Sequence, residues 1–230
     1  MCKEKKMDFS FLEEGSFGKY KPEIMMIKYD ILFEYIKQIG KQYEEDFVIE
    51  GPDIQFYTNM MYYFTDNPKC KWNLSKGLLL HGKKGLGKSL SLKIFKKIFY
   101  HSNQLNILQK KKSFRFYGFE GVGRSKETMN EFYKLCNNNL FIDEVMRETA
   151  DDSKVINNFG TKEKPFSTGM HQMYRKFCDE GKLYHFTTNY WNIPQKENGK
   201  MFGDIYGNEI QDRIIEMCNI IEFKGNSKRK

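Results

Sequence analysis

Gly77-Leu78-Leu79-Leu80-His81-Gly82-Lys83-Lys84-Gly85-Leu86-Gly87-Lys88-Ser89-Leu90 decides the fold. Residues 77–81 read as a short buried strand. From Leu90 to Tyr100 the apolar positions Leu92, Phe95 and Phe99 recur at helical spacing. Between them stands G-x-x-x-x-G-K-S. A strand, this loop and then a helix is the context in which the pattern becomes a phosphate cradle. Glycines let backbone N–H groups wrap around phosphates, and the helix that opens there points its partial positive end at them. Residues 82–90 are therefore the predicted ATP-binding loop: Gly82, Lys83, Lys84, Gly85, Leu86, Gly87, Lys88, Ser89 and Leu90. Lys88 is expected on the β and γ phosphates and Ser89 on Mg²⁺.

Downstream, Asn139-Leu140-Phe141-Ile142-Asp143-Glu144 is an apolar strand that ends in two acids, a Walker B pattern. Asp143 is expected to join Ser89 at the metal, and Glu144 to accept a proton from an attacking water. His185-Phe186-Thr187-Thr188-Asn189 is a strand with a polar tip. Asn189 fits either a turn asparagine or a group that positions water against the γ-phosphate. Arg213 lies beside the apolar face Ile210, Ile214, Met217 and Cys218. It fits either a surface ion pair or a finger that reaches a neighbouring subunit's phosphate.

Strands and helices alternate from Gly77 onward. Strands are predicted at 77–81, 114–117, 140–142, 183–187 and 220–223. Helices are predicted at 88–100, 126–137 (capped by Ser125), 168–179 and 209–218. That order specifies an α/β fold, a parallel sheet with helices on both faces. Upstream, 23–39 reads as an amphipathic helix ended by Gly40. A second helix at 54–64 has Asp53 as its N-cap, and Asp66-Asn67-Pro68 stops it. Gly118, Gly121 and Gly123 lack dinucleotide-loop spacing and read as turn glycines.

The chain has 230 residues, 40% hydrophobic and 16% aromatic, enough for one core domain with an appendage. No apolar run reaches the roughly 18 residues that span a bilayer, and no signal-peptide core follows the N-terminus. Five scattered cysteines without a C-x-x-C pair fit reduced thiols and a cytoplasmic setting. The net charge of +8 fits either a Lys-rich proteome or a nucleic-acid partner. The basic clusters Lys110-Lys111-Lys112 with Arg115, Arg124 with Lys126, and Lys228-Arg229-Lys230 favour the second. Phe114, Phe116 and Tyr117 fit strand burial, with base stacking as the other use.

Together with Thr187-Thr188-Asn189, Tyr206-Gly207, Asp212-Arg213-Ile214 and the terminal Gly225-Asn226-Ser227-Lys228-Arg229, the two Walker motifs resemble the AAA+ ATPases of the DnaC/IstB-like replicative helicase-loader family. Asn158-Phe159-Gly160-Thr161-Lys162 also resembles an element of that group. The resemblance covers residues 45–230. It implies a five-stranded parallel sheet, ATP-bridged homo-oligomers in rings or spirals, single-stranded DNA binding, and a partner protein. In loaders that partner is the replicative helicase; in transposition helpers it is a transposase. By the same resemblance Arg213 is the arginine finger and Arg229 a second-sensor arginine that touches ATP. Val48 and Ile49 take the position that encloses adenine. Seven residues follow Phe223, so no helical lid domain is expected, and Lys83-Lys84 replaces the Pro or Ala of many relatives. The expected division is a helical extension over 1–45, a candidate for partner binding, and an ATPase domain over 46–230. A nucleotide-driven switch with slow turnover is the rival reading. A small-molecule kinase fits poorly, because Asp143-Glu144 favours water as the acceptor.

Overall fold

The computed structural model describes residues 29–102, 112–118, 126–145, 156–158, 161–163, 165–192 and 199–224. The described residues begin with α1 (Tyr29–Tyr43) and α2 (Pro52–Phe64), then enter β1 (Gly77–Gly82) and α3 (Lys88–Ser102). Next come β2 (Arg115–Gly118), α4 (Lys126–Leu135) and β3 (Leu140–Val145), followed by the short hairpin β4 (Ile156–Asn158) and β5 (Thr161–Glu163). α5 (Pro165–Glu180), β6 (Tyr184–Thr188), α6 (Phe202–Tyr206), α7 (Asn208–Met217) and β7 (Cys218–Phe223) complete it. Five strands form one sheet in the order β2-β3-β6-β1-β7, every neighbouring pair parallel.

Every residue of β1 is buried, which is why its sequence is a continuous apolar run. The pleat then sorts its leucines. Leu78 and Leu80 enter a core shared with α1, α2 and α3, whereas Leu79 enters the core under α5 and α7. β3 splits the same way, Phe141 to the first core and Leu140 and Ile142 to the second. The tips of β1, β3 and β6 thus meet at one end of a sheet covered on both faces. Among the described residues no helix is long and apolar enough to cross a membrane.

Several local expectations are corrected. Gly40 does not end α1, which continues to Tyr43. The ring of Phe47 lies where a Cβ on residue 40 would stand, 2.0 Å from its Cδ1, so the glycine serves a close approach rather than a stop. The N-cap of α2 is Gly51, Pro52 is its first helical residue, and Asp53 lies two positions past the cap. α5 starts earlier than expected, at Pro165, and α6 and the hairpin β4–β5 carry no periodic signal long enough to read. Ser125, Gly121, Gly123, Phe159 and Gly160 lie outside the described residues.

Lys112 corrects the largest misreading. It is not a DNA-facing lysine but a core residue, 1% exposed. Its Nζ lies 2.6 Å from Asp66 Oδ1, donates to the Tyr63 carbonyl at 2.5 Å, and sits 4.0 Å from the Tyr63 ring centroid. Phe114 is likewise buried, among Phe64, Phe99 and Phe141. Arg115 alone of that cluster is described as exposed. Lys110, Lys111, Arg124 and residues 228–230 lie outside the described residues.

Next to this ion pair, His185 of β6 is fully buried against Phe114, Phe64 and Tyr63, and neither ring nitrogen has a hydrogen-bond partner. Burial, reinforced by the Lys112 charge, lowers its pKa from 6.5 to about 3. Between those values the unfolded chain binds a proton that the folded protein refuses, so stability rises with pH there. Acidification from pH 6.5 to 5 is expected to cost about 2 kcal/mol through this residue. Urea titrations of parent and His185→Phe at both pH values check it: the pH dependence should shrink by that amount in the variant.

Candidate nucleotide site

The loop after β1 bends back through Gly85 and Gly87, whose φ angles of 87° and 88° are open to glycine but strained for other residues. Buried Leu86 pins its crown, while Lys83 and Lys84 are exposed. Helix α3 begins at Lys88 itself. The loop walls a cavity of about 230 Å³ to which Lys84 through Ser91, Lys93, Glu144, Thr187, Thr188 and Asn189 contribute. Gly82 and Lys83 stand beside it and offer their carbonyls to Lys88 at 2.8 and 2.7 Å. The third acceptor on the Lys88 ammonium is Asn189 Oδ1, also at 2.8 Å. Lys88 is only 6% exposed, so the charge faces the cavity rather than bulk water.

Parallel registry brings the second motif to the same place. Ser89 Oγ donates to Asp143 Oδ1 at 2.5 Å, and Thr187 Oγ1 donates to the same oxygen at 2.6 Å. The other carboxylate oxygen faces Lys93 at 3.7 Å. β3 breaks register between Ile142 and Val145, and Glu144 there takes φ 56°. A positive φ on a glutamate is costly, and the Glu144 N–H bond to Thr187 Oγ1 at 2.8 Å helps to hold it. The irregularity turns Glu144 into the cavity wall instead of leaving it on a sheet face.

Lys88, Ser89, Asp143, Glu144 and Asn189 are thus gathered at one site. Arg213 is not among the residues that line the cavity. It pairs with Glu209 of its own helix at 2.5 Å, and toward α5 it touches the His171 Nδ1 atom and lies 5.2 Å from the Tyr174 ring. Arg229 lies outside the described residues. Val48 and Ile49 do not line the cavity: Val48 is 53% exposed and Ile49 is in the core. Its apolar end is built instead by Tyr43, Phe47, Tyr57 and Phe223. Tyr57 donates to or accepts from Ser91 Oγ at 3.2 Å, and burial pushes its phenol well above the usual range. These four come from α1, the loop after it, α2 and β7, so no local pattern in the sequence could have grouped them.

The oxygen set suits Mg²⁺. Ser89 and Asp143 offer hard oxygen donors, and among the described residues no cluster of three His, Cys, Asp or Glu side chains competes as a metal cage. A metal held by one hydroxyl and one carboxylate must complete its shell with water and phosphate.

No protein-family model matches the chain, and no curated protein matches it in sequence. Solved structures do. The DnaC helicase loader is 19% identical over 80% of this chain and 99% of its own, with a TM-score of 0.51. DnaI is 18% identical over 84% of this chain and 93% of its own, at 0.48. AMPPCP-bound DnaA from Aquifex aeolicus is 14% identical over 80% of this chain and 51% of its own, at 0.41. At such identities likeness establishes architecture alone: the chain shares the fold of the DnaC helicase loader structure, here a five-stranded parallel sheet with helices on both faces.

Proposed function

We propose that this protein is an ATPase that binds single-stranded DNA and loads or remodels a replicative helicase. The observation that carries the ATPase half is the convergence of Lys88, Ser89, Glu144 and Asn189 on one cavity, with Asp143 hydrogen-bonded to Ser89. In this reading Lys88 gives up a carbonyl or Asn189 to take a phosphate oxygen. Ser89 and Asp143 hold Mg²⁺, which neutralises phosphate charge when bound. Glu144 accepts a proton from water while the water oxygen bonds to the γ-phosphorus. The bond to the β,γ-bridging oxygen breaks, leaving ADP and inorganic phosphate. Asn189 orients the water, and Tyr43, Phe47 and Tyr57 enclose the base.

Arg213 stands away from its own cavity, which suits a finger that serves the next subunit. Turnover should therefore rise steeply with protein concentration and gain from single-stranded DNA. In Arg213→Ala it should fall at least about a hundred-fold, with nucleotide affinity in the isolated protomer intact. Steady-state turnover across a concentration series, with and without a single-stranded oligonucleotide, checks this. Flat turnover indifferent to DNA and to the substitution would overturn the loader reading in favour of a slow nucleotide switch. Co-purification with a helicase or with a transposase separates loader from transposition helper.

A further inference from the structure

Lys93 stands on the cavity wall, five residues into α3, and has no task in the chemistry above. Its Nζ lies 3.7 Å from Asp143 Oδ2, the carboxylate oxygen that neither Ser89 nor Thr187 occupies. The same ammonium lies 5.2 Å from the Phe116 ring centroid, as does that of Lys96. The Lys93 side chain is 39% exposed and Asp143 only 12%.

We propose that Lys93 is the protein's own counter-cation for Asp143. It competes with divalent metal for that carboxylate, and so sets how strongly nucleotide binding depends on Mg²⁺. Three features support this. A contact of 3.7 Å is a charge interaction without a tight hydrogen bond, so it is cheap to separate. Phe116 offers the displaced ammonium a π face on which to rest. Lys96 shares that ring, and the repulsion between two cations biases Lys93 toward Asp143 until a stronger cation claims the carboxylate. In metal-free protein the lysine also shields incoming phosphates from the Asp143 charge. The inference rests on the nucleotide reading given above.

The test is binding rather than turnover. Affinity for a fluorescent methylanthraniloyl-ADP is measured by anisotropy, in EDTA and in saturating Mg²⁺, for the parent, Lys93→Met and Lys93→Arg. Lys93→Met should weaken binding about five-fold in EDTA and little in Mg²⁺, so that metal dependence grows by the same factor; Lys93→Arg should restore the parent ratio. Melting curves establish that both variants are folded. Equal weakening in both conditions would make Lys93 an ordinary phosphate contact and overturn the proposal, as would no change in either. Failure of the parent to bind in both conditions would remove the nucleotide reading itself, and this inference with it.

Discussion

Glu144→Gln is expected to reduce ATP turnover about a thousand-fold while nucleotide affinity stays near that of the parent. The amide keeps the size and the backbone N–H bond to Thr187, so the unusual φ at this position and the wall of the cavity survive. What is removed is the carboxylate's charge, and with it the capacity to take a proton. Turnover by phosphate release and affinity by fluorescent-nucleotide anisotropy separate the two effects. Loss of affinity along with turnover would mean that residue 144 shapes the cavity rather than handling a proton.

Lys112→Ala is expected to destabilise the fold by about 3 kcal/mol, a fall of about 10 °C in Tm. Alanine leaves the Asp66 carboxylate and the Tyr63 carbonyl without their cation, and removes a stem packed on the Tyr63 ring. The double variant Lys112→Met with Asp66→Asn should recover much of the loss, since methionine refills the volume and asparagine tolerates the φ of 53° at residue 66. Thermal melts of the three proteins check this. Affinity for single-stranded DNA, measured well below the melting range, should keep the parent's salt dependence, whereas loss of a phosphate contact would lower the slope by about one. A stable Lys112→Ala protein with a shallower slope would return Lys112 to the surface.

The chemistry of this chain is written locally, and its setting is not. Phosphate loop and Walker B strand each occupy fewer than ten consecutive residues, so spacing and flanking periodicity suffice to read them. β1 was recognisable because burial on both faces makes its sequence uniformly apolar. Lys112 was misread because a lysine inside a basic run looks solvated. What buries it is Asp66, 46 positions upstream, and no pattern in either segment announces the pair. Gly40 was misread for a similar reason: its partner is the side chain of Phe47 rather than a turn. Asn189 was ambiguous as a lone asparagine and acquires a definite neighbour, Lys88, only when β6 and β1 are laid side by side. The apolar end of the cavity is the extreme case, assembled from four separate parts of the chain.

An ammonium has three protons, and the Gly82 and Lys83 carbonyls and Asn189 Oδ1 are enough acceptors to take them all. An incoming phosphate oxygen therefore cannot simply be added; it enters by exchange. Two of the partners are carbonyls of the loop itself, and their release would tell the rest of the molecule nothing. The third belongs to a neighbouring strand. If Asn189 is the one that yields, occupancy of the loop is announced at the tip of β6, where the freed carboxamide can turn toward whatever stands at the cavity mouth. The resting contact then works as a tally of whether fuel is aboard, and the message travels by a single hydrogen bond changing hands.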